Sequence, residues 1–229
     1  MILRASLTAA LLVWSTSVVA ECRLALALAL DISSSVDAAE DALQRKGLAR
    51  ALVSPEVQSA IFSVPGTTVN LAVYEWSGRY QQDMILEWSN LQSAADVRRA
   101  AAIIAGSQRS YADFPTAMGY AMGYAADVFA RAPLCWQKTL DVSGDGVNNE
   151  GFKPRLAYKN FPLSEVTING LTIGGQDEGL AAYYRRELIK GPGAFVEEAR
   201  DFNDFERAMQ RKLVRELQAR AIGLLTVDP

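Results

Sequence analysis

Residues 24–35, near the start of the chain, read LALALALDISSS and are the most informative segment for the fold. The first seven of these residues are all apolar, whereas a half-exposed strand would alternate apolar with polar residues. Such a run predicts a β-strand that is buried on both faces, as in the parallel sheets of α/β proteins. Asp31 ends the strand, and the serines after it predict a polar turn.

Strand and helix patterns alternate along the rest of the chain. Further strands are predicted at residues 68–74, 83–88, 139–143, 166–173 and 194–196, with a hairpin turn at Ser77-Gly78 between the first two. Helices are predicted at residues 38–52, 93–104, 115–130, 156–161, 179–188 and 201–218. This order predicts an α/β fold: a doubly wound, mostly parallel sheet with helices on both faces and one antiparallel edge strand.

The helix at residues 115–130 contains the sequence Met-Gly-Tyr-Ala twice in succession. Small residues at this spacing also occur in membrane helices, but this run is too short to span a bilayer and is flanked by Asp113 and Asp127. We therefore expect Gly119, Gly123 and the neighbouring alanines to let the helix lie close to the sheet.

Composition limits the classes of function that the chain can have. Its 229 residues, 50% of them hydrophobic and 21% charged, suit one large α/β domain better than two small ones. The net charge is −3 and no predicted face carries a cluster of Lys and Arg, so nucleic-acid binding is not expected. The chain has no histidine, which excludes Ser-His-Asp and Cys-His nucleophile pairs and zinc sites built on imidazole.

Residues 1–20 are typical of a signal peptide. A positive charge at Arg4 precedes a short apolar run, and the small residue Ala20 suits cleavage before Glu21. The alternative is an uncleaved anchor, but the apolar run is short for a membrane span and no stop-transfer pattern follows. We therefore expect a periplasmic or secreted protein with a single domain over residues 21–229 and no membrane span after cleavage.

Two cysteines, Cys22 and Cys135, lie in the expected mature chain. A lone pair cannot form a zinc site without other ligands, and none lies at ligand spacing. In an oxidising compartment, such a pair predicts a disulfide.

Polar side chains follow two predicted strands and begin one helix. Asp31, Ser33 and Ser35 are spaced by two after the first strand; Asp145 follows a later strand, and Thr116 begins the helix with the repeat. Because ligands of doubly wound sheets bind at the carboxyl ends of the strands, we expect these three segments to meet there. Two carboxylates and three hydroxyls suit a hard divalent cation, Mg²⁺ before Ca²⁺ or Mn²⁺.

Together these segments resemble the von Willebrand factor type A domain with its metal-ion-dependent adhesion site. The resemblance rests on Asp-x-Ser-x-Ser after the first strand, Thr-Ala-Met-Gly-Tyr-Ala at 116–121 and a strand followed by Asp-Gly at 145–146. It covers the chain from Leu24 to the last helix. The segments at 75–78 and 141–146 further resemble a secreted bacterial branch of such proteins whose function is not established.

The resemblance implies a role for each candidate ligand. Ser33 and Ser35 would bind the metal directly, Thr116 would bind it depending on conformation, and Asp31 and Asp145 would bind it directly or through water. In the family's strand order, the first and fourth strands are neighbours, which makes the disulfide between the two cysteines geometrically plausible. No role follows for Asp141, which stands where the family usually has an apolar residue.

A protein-binding module without enzymatic activity is the function that this resemblance implies. The metal would keep an open position for an Asp or Glu of a protein partner. Residues 77–79, 110–114 and 147–152 would surround the metal and contact that partner. Trp76 and Trp88 are either anchors that face the partner or side chains that cover the sheet.

The alternative is a Mg²⁺-dependent phosphatase. The segment at 144–149 resembles the acidic motif of haloacid-dehalogenase-type phosphatases, and Asp31 would then be the nucleophile. However, Ser33 stands where those enzymes carry an acid, and Asn149 replaces the final aspartate of the motif. An EF-hand loop beginning at Asp141 is excluded because its twelfth residue is Phe152 instead of Glu.

Overall fold

The computed structural model of the protein describes residues 20–174 and 178–218. Its strands are β1 (Glu21–Asp31), β2 (Thr67–Trp76), β3 (Gln82–Leu91), β4 (Gln137–Gly144), β5 (Val166–Ile173) and β6 (Val196–Ala199). Its helices are α1 (Ala38–Val53), α2 (Pro55–Ile61), α3 (Ala94–Gly106), α4 (Met118–Ala130), α5 (Pro154–Asn160), α6 (Glu178–Glu187) and α7 (Phe205–Gln218). The expected signal peptide lies outside the described residues except for Ala20, and so do residues 175–177 and 219–229 of the expected domain.

These strands form one sheet in the order β3-β2-β1-β4-β5-β6. All neighbouring pairs are parallel except β2 and β3, which are antiparallel. The predicted α/β fold with one antiparallel edge strand is therefore confirmed. Because β1 lies between β2 and β4, the carboxyl ends of β1 and β4 are adjacent at the switch point of the sheet.

The leucines and alanines of β1 face opposite layers of the core. Its leucines, from Leu24 to Leu30, pack with apolar side chains of α1, α2, α3 and α7. Its alanines, from Ala25 to Ala29, pack with α4, α5 and α6. All seven side chains are buried. The alternation of Leu and Ala therefore places large side chains on one face of the strand and small ones on the other, and both faces are apolar.

The nearest neighbours of a side chain placed at either glycine of α4 belong to the loop at 147–152 and to the end of α5, and not to the sheet as we expected. A Cβ at Gly119 would lie 1.9 Å from the backbone oxygen of Phe152, and a Cβ at Gly123 would lie 3.0 Å from Cζ of Phe161. These glycines therefore allow residues 147–152 and the end of α5 to approach α4. The alanines of α4 do pack in the same layer as the alanines of β1, as expected.

Two helices differ from the prediction: α2 was not predicted, and α7 begins later than expected. The seven-residue helix α2 is too short for its periodicity to be recognised; it begins after Ser54, whose Oγ accepts the N–H of Val57 at 3.4 Å. The last helix begins at Phe205 instead of Asp201, because Oδ1 of Asp201 accepts the N–H of Asp204 at 2.9 Å and holds a turn.

A disulfide joins Cys22 in β1 to Cys135, which precedes β4. Their Cα atoms lie 4.5 Å apart. The bridge lies at the amino ends of these neighbouring strands, opposite the edge that carries Asp31 and Asp145. No helix within the described residues is long and apolar enough to cross a membrane.

Candidate metal centre

Ser33, Ser35 and Asp145 meet at the carboxyl edge of the sheet. Ser35 Oγ donates a hydrogen bond to Asp145 Oδ1 at 2.7 Å, and the Oγ atoms of Ser33 and Ser35 lie 3.2 Å apart. This contact is possible because β1 and β4 are parallel neighbours with Leu30 opposite Ser143, so that the turns after the two strands lie side by side. The structure thus brings together three of the five predicted ligands through side-chain hydrogen bonds.

Asp31, the fourth predicted ligand, is buried directly beneath this group. Its Oδ1 accepts the backbone N–H of Ser33 at 2.8 Å, which fixes the turn that follows the strand. Its backbone oxygen accepts a hydrogen bond from Gln44 Nε2 at 3.0 Å. Its Oδ2 is buried and has no hydrogen-bond partner within the described part of the chain.

Thr116, the fifth predicted ligand, lies against the turn that carries Asp145. A Cβ at Gly146 would lie 3.7 Å from Thr116 Oγ1. The backbone of Thr116 is held by Asn149, whose Oδ1 accepts the Thr116 N–H at 2.9 Å and whose N–H donates to the Thr116 oxygen at 3.0 Å. Contacts with the backbone and side chain of Asn149 therefore place the threonine next to the turn that carries Asp145.

The loops around this centre hold one another by backbone hydrogen bonds. The N–H of Ala117 donates to the oxygen of Ser77 at 2.8 Å, and the N–H of Ser34 donates to the oxygen of Phe114 at 2.8 Å. On the rim, Arg79 forms a salt bridge with Glu150 at 3.0 Å. Of the three segments that we expected around the metal, 77–79 and 147–152 are thus in contact with each other, and 110–114 contacts the serine turn through Phe114.

Arg109 is a supporting residue that the sequence analysis missed. Its Nη2 donates to the oxygen of Ile32 at 2.6 Å, and its Nη1 donates to the oxygen of Val36 at 2.7 Å. It therefore holds both ends of the serine turn. Its position in a loop between a helix and the candidate ligand Thr116 carries no local pattern that would have indicated this role, because the contact depends on how the loops fold together.

The electrostatics of the centre favour a positive ion. Burial and the nearby charge of Asp145 together raise the pKa of Asp31 to about 7, whereas the hydrogen bonds from Ser33 and the charge of Arg109 oppose the shift. Two adjacent carboxylates, one of which is buried, are costly to ionise together unless a cation is present. The unpartnered Oδ2 of Asp31 and the adjacent hydroxyls form an oxygen-only donor set, which fits a hard divalent cation.

No group of three or more His, Cys, Asp or Glu residues that could hold a metal occurs in the part of the chain that the structure describes. The candidate centre has only two carboxylates, so hydroxyl oxygens would supply the other protein ligands. For the phosphatase alternative, Asn149 occupies the position of the final acidic residue, and its Oδ1 is used to accept the N–H of Thr116.

Both tryptophans pack against other parts of the protein and cover the sheet. Trp76 is fully buried in the layer that contains α4. Trp88 is partly buried; its Nε1 donates to the oxygen of Val128 at 3.0 Å, and its ring packs on Phe129 with centroids 5.7 Å apart. Of the two alternatives left open by the sequence, the structure supports packing.

Asp141 belongs to a buried ion pair beneath α7. Its Oδ1 lies 3.0 Å from Lys212 Nζ, which also donates to Glu216 Oε1 at 2.8 Å. All three residues are buried. Burial and the nearby charge of Glu216 raise the pKa of Asp141, although Lys212 opposes this shift. Burial lowers the pKa of Lys212, but its two acidic neighbours outweigh this effect and the pKa is raised. The residue that departs from the apolar pattern therefore ties β4 to α7.

Solved structures with a similar fold include a von Willebrand factor type A protein, a mussel byssus protein and a bacterial minor pilin. A structure of proximal thread matrix protein 1 from the mussel byssus, described as having a zinc-occupied MIDAS motif, matches 87% of this chain and 47% of its own, with 18% identity and a TM-score of 0.59. The von Willebrand factor type A protein from Catenulispora acidiphila matches 86% of this chain and 43% of its own, with 18% identity and a TM-score of 0.52. The PilB minor pilin from Streptococcus sanguinis matches 91% of this chain and 64% of its own, with 13% identity and a TM-score of 0.57.

The chain spans about half the length of the mussel protein, so the likeness concerns one part of that molecule. No curated protein sequence matches the chain. A family model described as "Protein of unknown function (DUF1194)" matches residues 21–221. The chain therefore belongs to this DUF1194 family, and its fold is that of a von Willebrand factor type A domain.

Proposed function

We propose that this protein is a secreted or periplasmic binding module that holds a divalent cation and uses it to bind a carboxylate of a protein partner. Mg²⁺ is the expected ion, with Ca²⁺ or Mn²⁺ as alternatives. The observation that carries the proposal is the hydrogen-bonded group of Ser33, Ser35 and Asp145 directly above the buried Asp31. The zinc-occupied MIDAS motif in the mussel protein, which shares the fold, supports a cation at this edge.

The ligands would divide into neutral and charged groups. Ser33 and Ser35 would bind the cation through their hydroxyls, Thr116 would bind it in one conformation, and Asp31 and Asp145 would bind directly or through water. Because only two of these ligands are charged, the bound cation would keep part of its positive charge and some coordination positions for water. When bound, the cation would attract an Asp or Glu of the partner, and partial exclusion of water would strengthen the contact.

The rim next to the centre has features of a protein-binding surface. The side chain of Tyr80 is 79% exposed, and its ring lies edge-on to Tyr120 with centroids 6.3 Å apart. The guanidinium of Arg79 lies 5.8 Å from the centre of the Tyr120 ring. Because Tyr and Arg are enriched among residues that dominate binding energy, this surface supports a protein partner.

Calorimetric titration of the purified protein with Mg²⁺, Mn²⁺ and Ca²⁺ tests the metal. We expect binding at one site, and we expect Ser33→Ala to weaken it strongly. Ser89→Ala is the matched control, because the Ser89 hydroxyl is bonded to the oxygen of Glu87 in β3 and does not contact the centre. Absence of binding by the unaltered protein would refute the proposal.

Capture of partner proteins from the native compartment, with and without EDTA, tests the binding role. The protein should retain a partner with the cation present and lose it in EDTA or after Ser33→Ala. Equal capture under all of these conditions would assign binding to another face. Magnesium-dependent turnover of a phosphomonoester that disappears in Asp31→Asn would support the phosphatase alternative instead.

A further inference from the structure

Two buried oxygen atoms without hydrogen-bond partners face the same point beside the candidate centre. They are Oδ2 of Asp31 and the hydroxyl oxygen of Tyr184 in α6, and neither has a partner within the described residues. A Cβ at Gly144 would lie 2.6 Å from the first and 2.7 Å from the second. Both side chains are fully buried. The carboxylate and the phenol therefore converge over the last residue of β4.

The chemistry of these two groups is complementary. An ionised carboxylate can only accept hydrogen bonds, whereas a phenol can donate one. Burial raises the pKa of Tyr184 well above its ordinary value, and the charge of Asp31 raises it further, so the phenol keeps its proton. Buried polar groups in folded proteins nearly always find a partner, and these two oxygen atoms both lie against the same position at Gly144.

We propose that Tyr184 is a positioning residue for the metal centre and that its hydroxyl donates to Asp31 Oδ2, directly or through one water molecule. Since the N–H of Ser33 already donates to Oδ1, both oxygens of the carboxylate are then held in a fixed orientation. Hydrogen bonds of this kind orient metal ligands and tune their affinity for the ion. This inference rests on the proposed function, because it assigns a role to a residue behind one of its ligands.

Gly144 is part of the same arrangement. Any side chain at this position would enter the space in which the carboxylate and the phenol meet. Glycine at the end of β4 therefore permits α6 to approach the site. Gln44 contacts the backbone oxygen of Asp31 from the opposite side.

The test compares Tyr184→Phe with Tyr74→Phe by calorimetric titration with Mn²⁺. Tyr74 is the matched control because it is also fully buried in the same layer, but its hydroxyl donates to the oxygen of Ala121 at 3.0 Å. We expect Tyr184→Phe to weaken Mn²⁺ binding about tenfold or more, as is usual for residues that support metal ligands. We expect Tyr74→Phe to leave the affinity unchanged, while both variants lower the melting temperature of the metal-free protein to a similar extent.

A variant with a different hydrogen-bond donor at position 184 distinguishes a positioning role of Tyr184 from a packing role. Replacement of Tyr184 by p-aminophenylalanine restores an N–H donor at the same place, and we expect it to recover most of the affinity that Tyr184→Phe loses. Gly144→Ala should weaken Mn²⁺ binding at least as much as Tyr184→Phe. A folded Gly144→Ala variant with unchanged affinity would contradict the inference.

The outcomes distinguish this inference from the function on which it rests. If the unaltered protein binds none of Mn²⁺, Mg²⁺ and Ca²⁺, the proposed function fails and the inference fails with it. If the unaltered protein binds Mn²⁺ and Tyr184→Phe binds it equally well, only the role of Tyr184 is refuted. Equal weakening by Tyr184→Phe and Tyr74→Phe would also refute that role, because it would reflect a general effect on the fold.

Discussion

Ser35 donates a hydrogen bond to Asp145, a residue 110 positions later in the chain, over a distance of 2.7 Å. The bond joins the turn after β1 to the turn after β4. It is possible because these strands are parallel neighbours, with their carboxyl ends at the same edge of the sheet. The candidate centre thus depends on the strand order of the fold, and several measurable consequences follow from its contacts.

The metal-free protein should lose stability as the pH rises from about 4 to about 7. The pKa of Asp31 is raised to about 7 in the folded state by burial and by Asp145, whereas an unfolded Asp has a pKa of about 3.9. Between these values the unfolded state releases the proton and the folded state retains it, so folding becomes less favourable with increasing pH and then levels off.

Melting temperatures in EDTA across this pH range, compared with those of Asp31→Asn, measure this effect. The asparagine variant does not ionise, so the stability difference between variant and unaltered protein should grow from pH 4 to pH 7. A difference that stays constant across the range would show that Asp31 ionises as easily in the folded as in the unfolded state.

Arg109→Ala should weaken metal binding without removing a ligand. The guanidinium holds the backbone oxygens of Ile32 and Val36, so its loss should loosen the turn that carries Ser33 and Ser35. We expect the affinity for Mn²⁺ to fall by about tenfold, in the range observed for residues that support metal ligands. Arg98→Ala, an exposed position on α3, is the control and should have no effect on calorimetric titrations.

Lys212→Met should destabilise the fold strongly. It would leave the carboxylates of Asp141 and Glu216 buried without their ammonium partner. Removal of one member of a buried ion pair typically costs about 3–5 kcal/mol, and urea unfolding should show a loss of this size. Arg207→Met, on an exposed part of the same helix, should cost less than about 1 kcal/mol.

Replacement of both cysteines by serine should lower stability and leave metal binding intact. The bridge joins residues 113 positions apart, and loss of such a constraint typically costs about 2–4 kcal/mol. Cys22 and Asp31 lie near opposite ends of β1, roughly 30 Å apart for an extended strand. Urea unfolding and Mn²⁺ titration of the same variant check both parts. A large loss of Mn²⁺ affinity would mean that the two edges are coupled.

The sequence was sufficient to predict the elements that carry the candidate ligands. The apolar run at residues 24–30 predicts a buried element with the length of a strand. Polar residues directly after such strands indicate the edge of the sheet at which the carboxyl ends of the strands lie. Asp31, Ser33, Ser35 and Asp145 do lie together there, and Thr116 lies beside them.

The residues that support this centre could not be predicted in the same way. Gln44, Arg109, Asn149 and Tyr184 contact it from two helices and two loops, and each contact is fixed only when these elements pack together. The glycines of α4 show the same limit: their spacing indicates a close approach, but it does not indicate whether the neighbour is the sheet or another loop. Long-range packing, which one sequence does not encode locally, decides such contacts.

Anomalous diffraction from crystals of the protein grown with Mn²⁺ would locate the cation itself. We expect one strong anomalous peak at the carboxyl edge of the sheet, within about 2.5 Å of the hydroxyl oxygens of Ser33 and Ser35. We also expect Asp31 and Asp145 to contact the ion directly or through ordered water. An absence of any peak at this edge at saturating Mn²⁺, or a peak only at another place on the molecule, would show that these residues do not form a metal site.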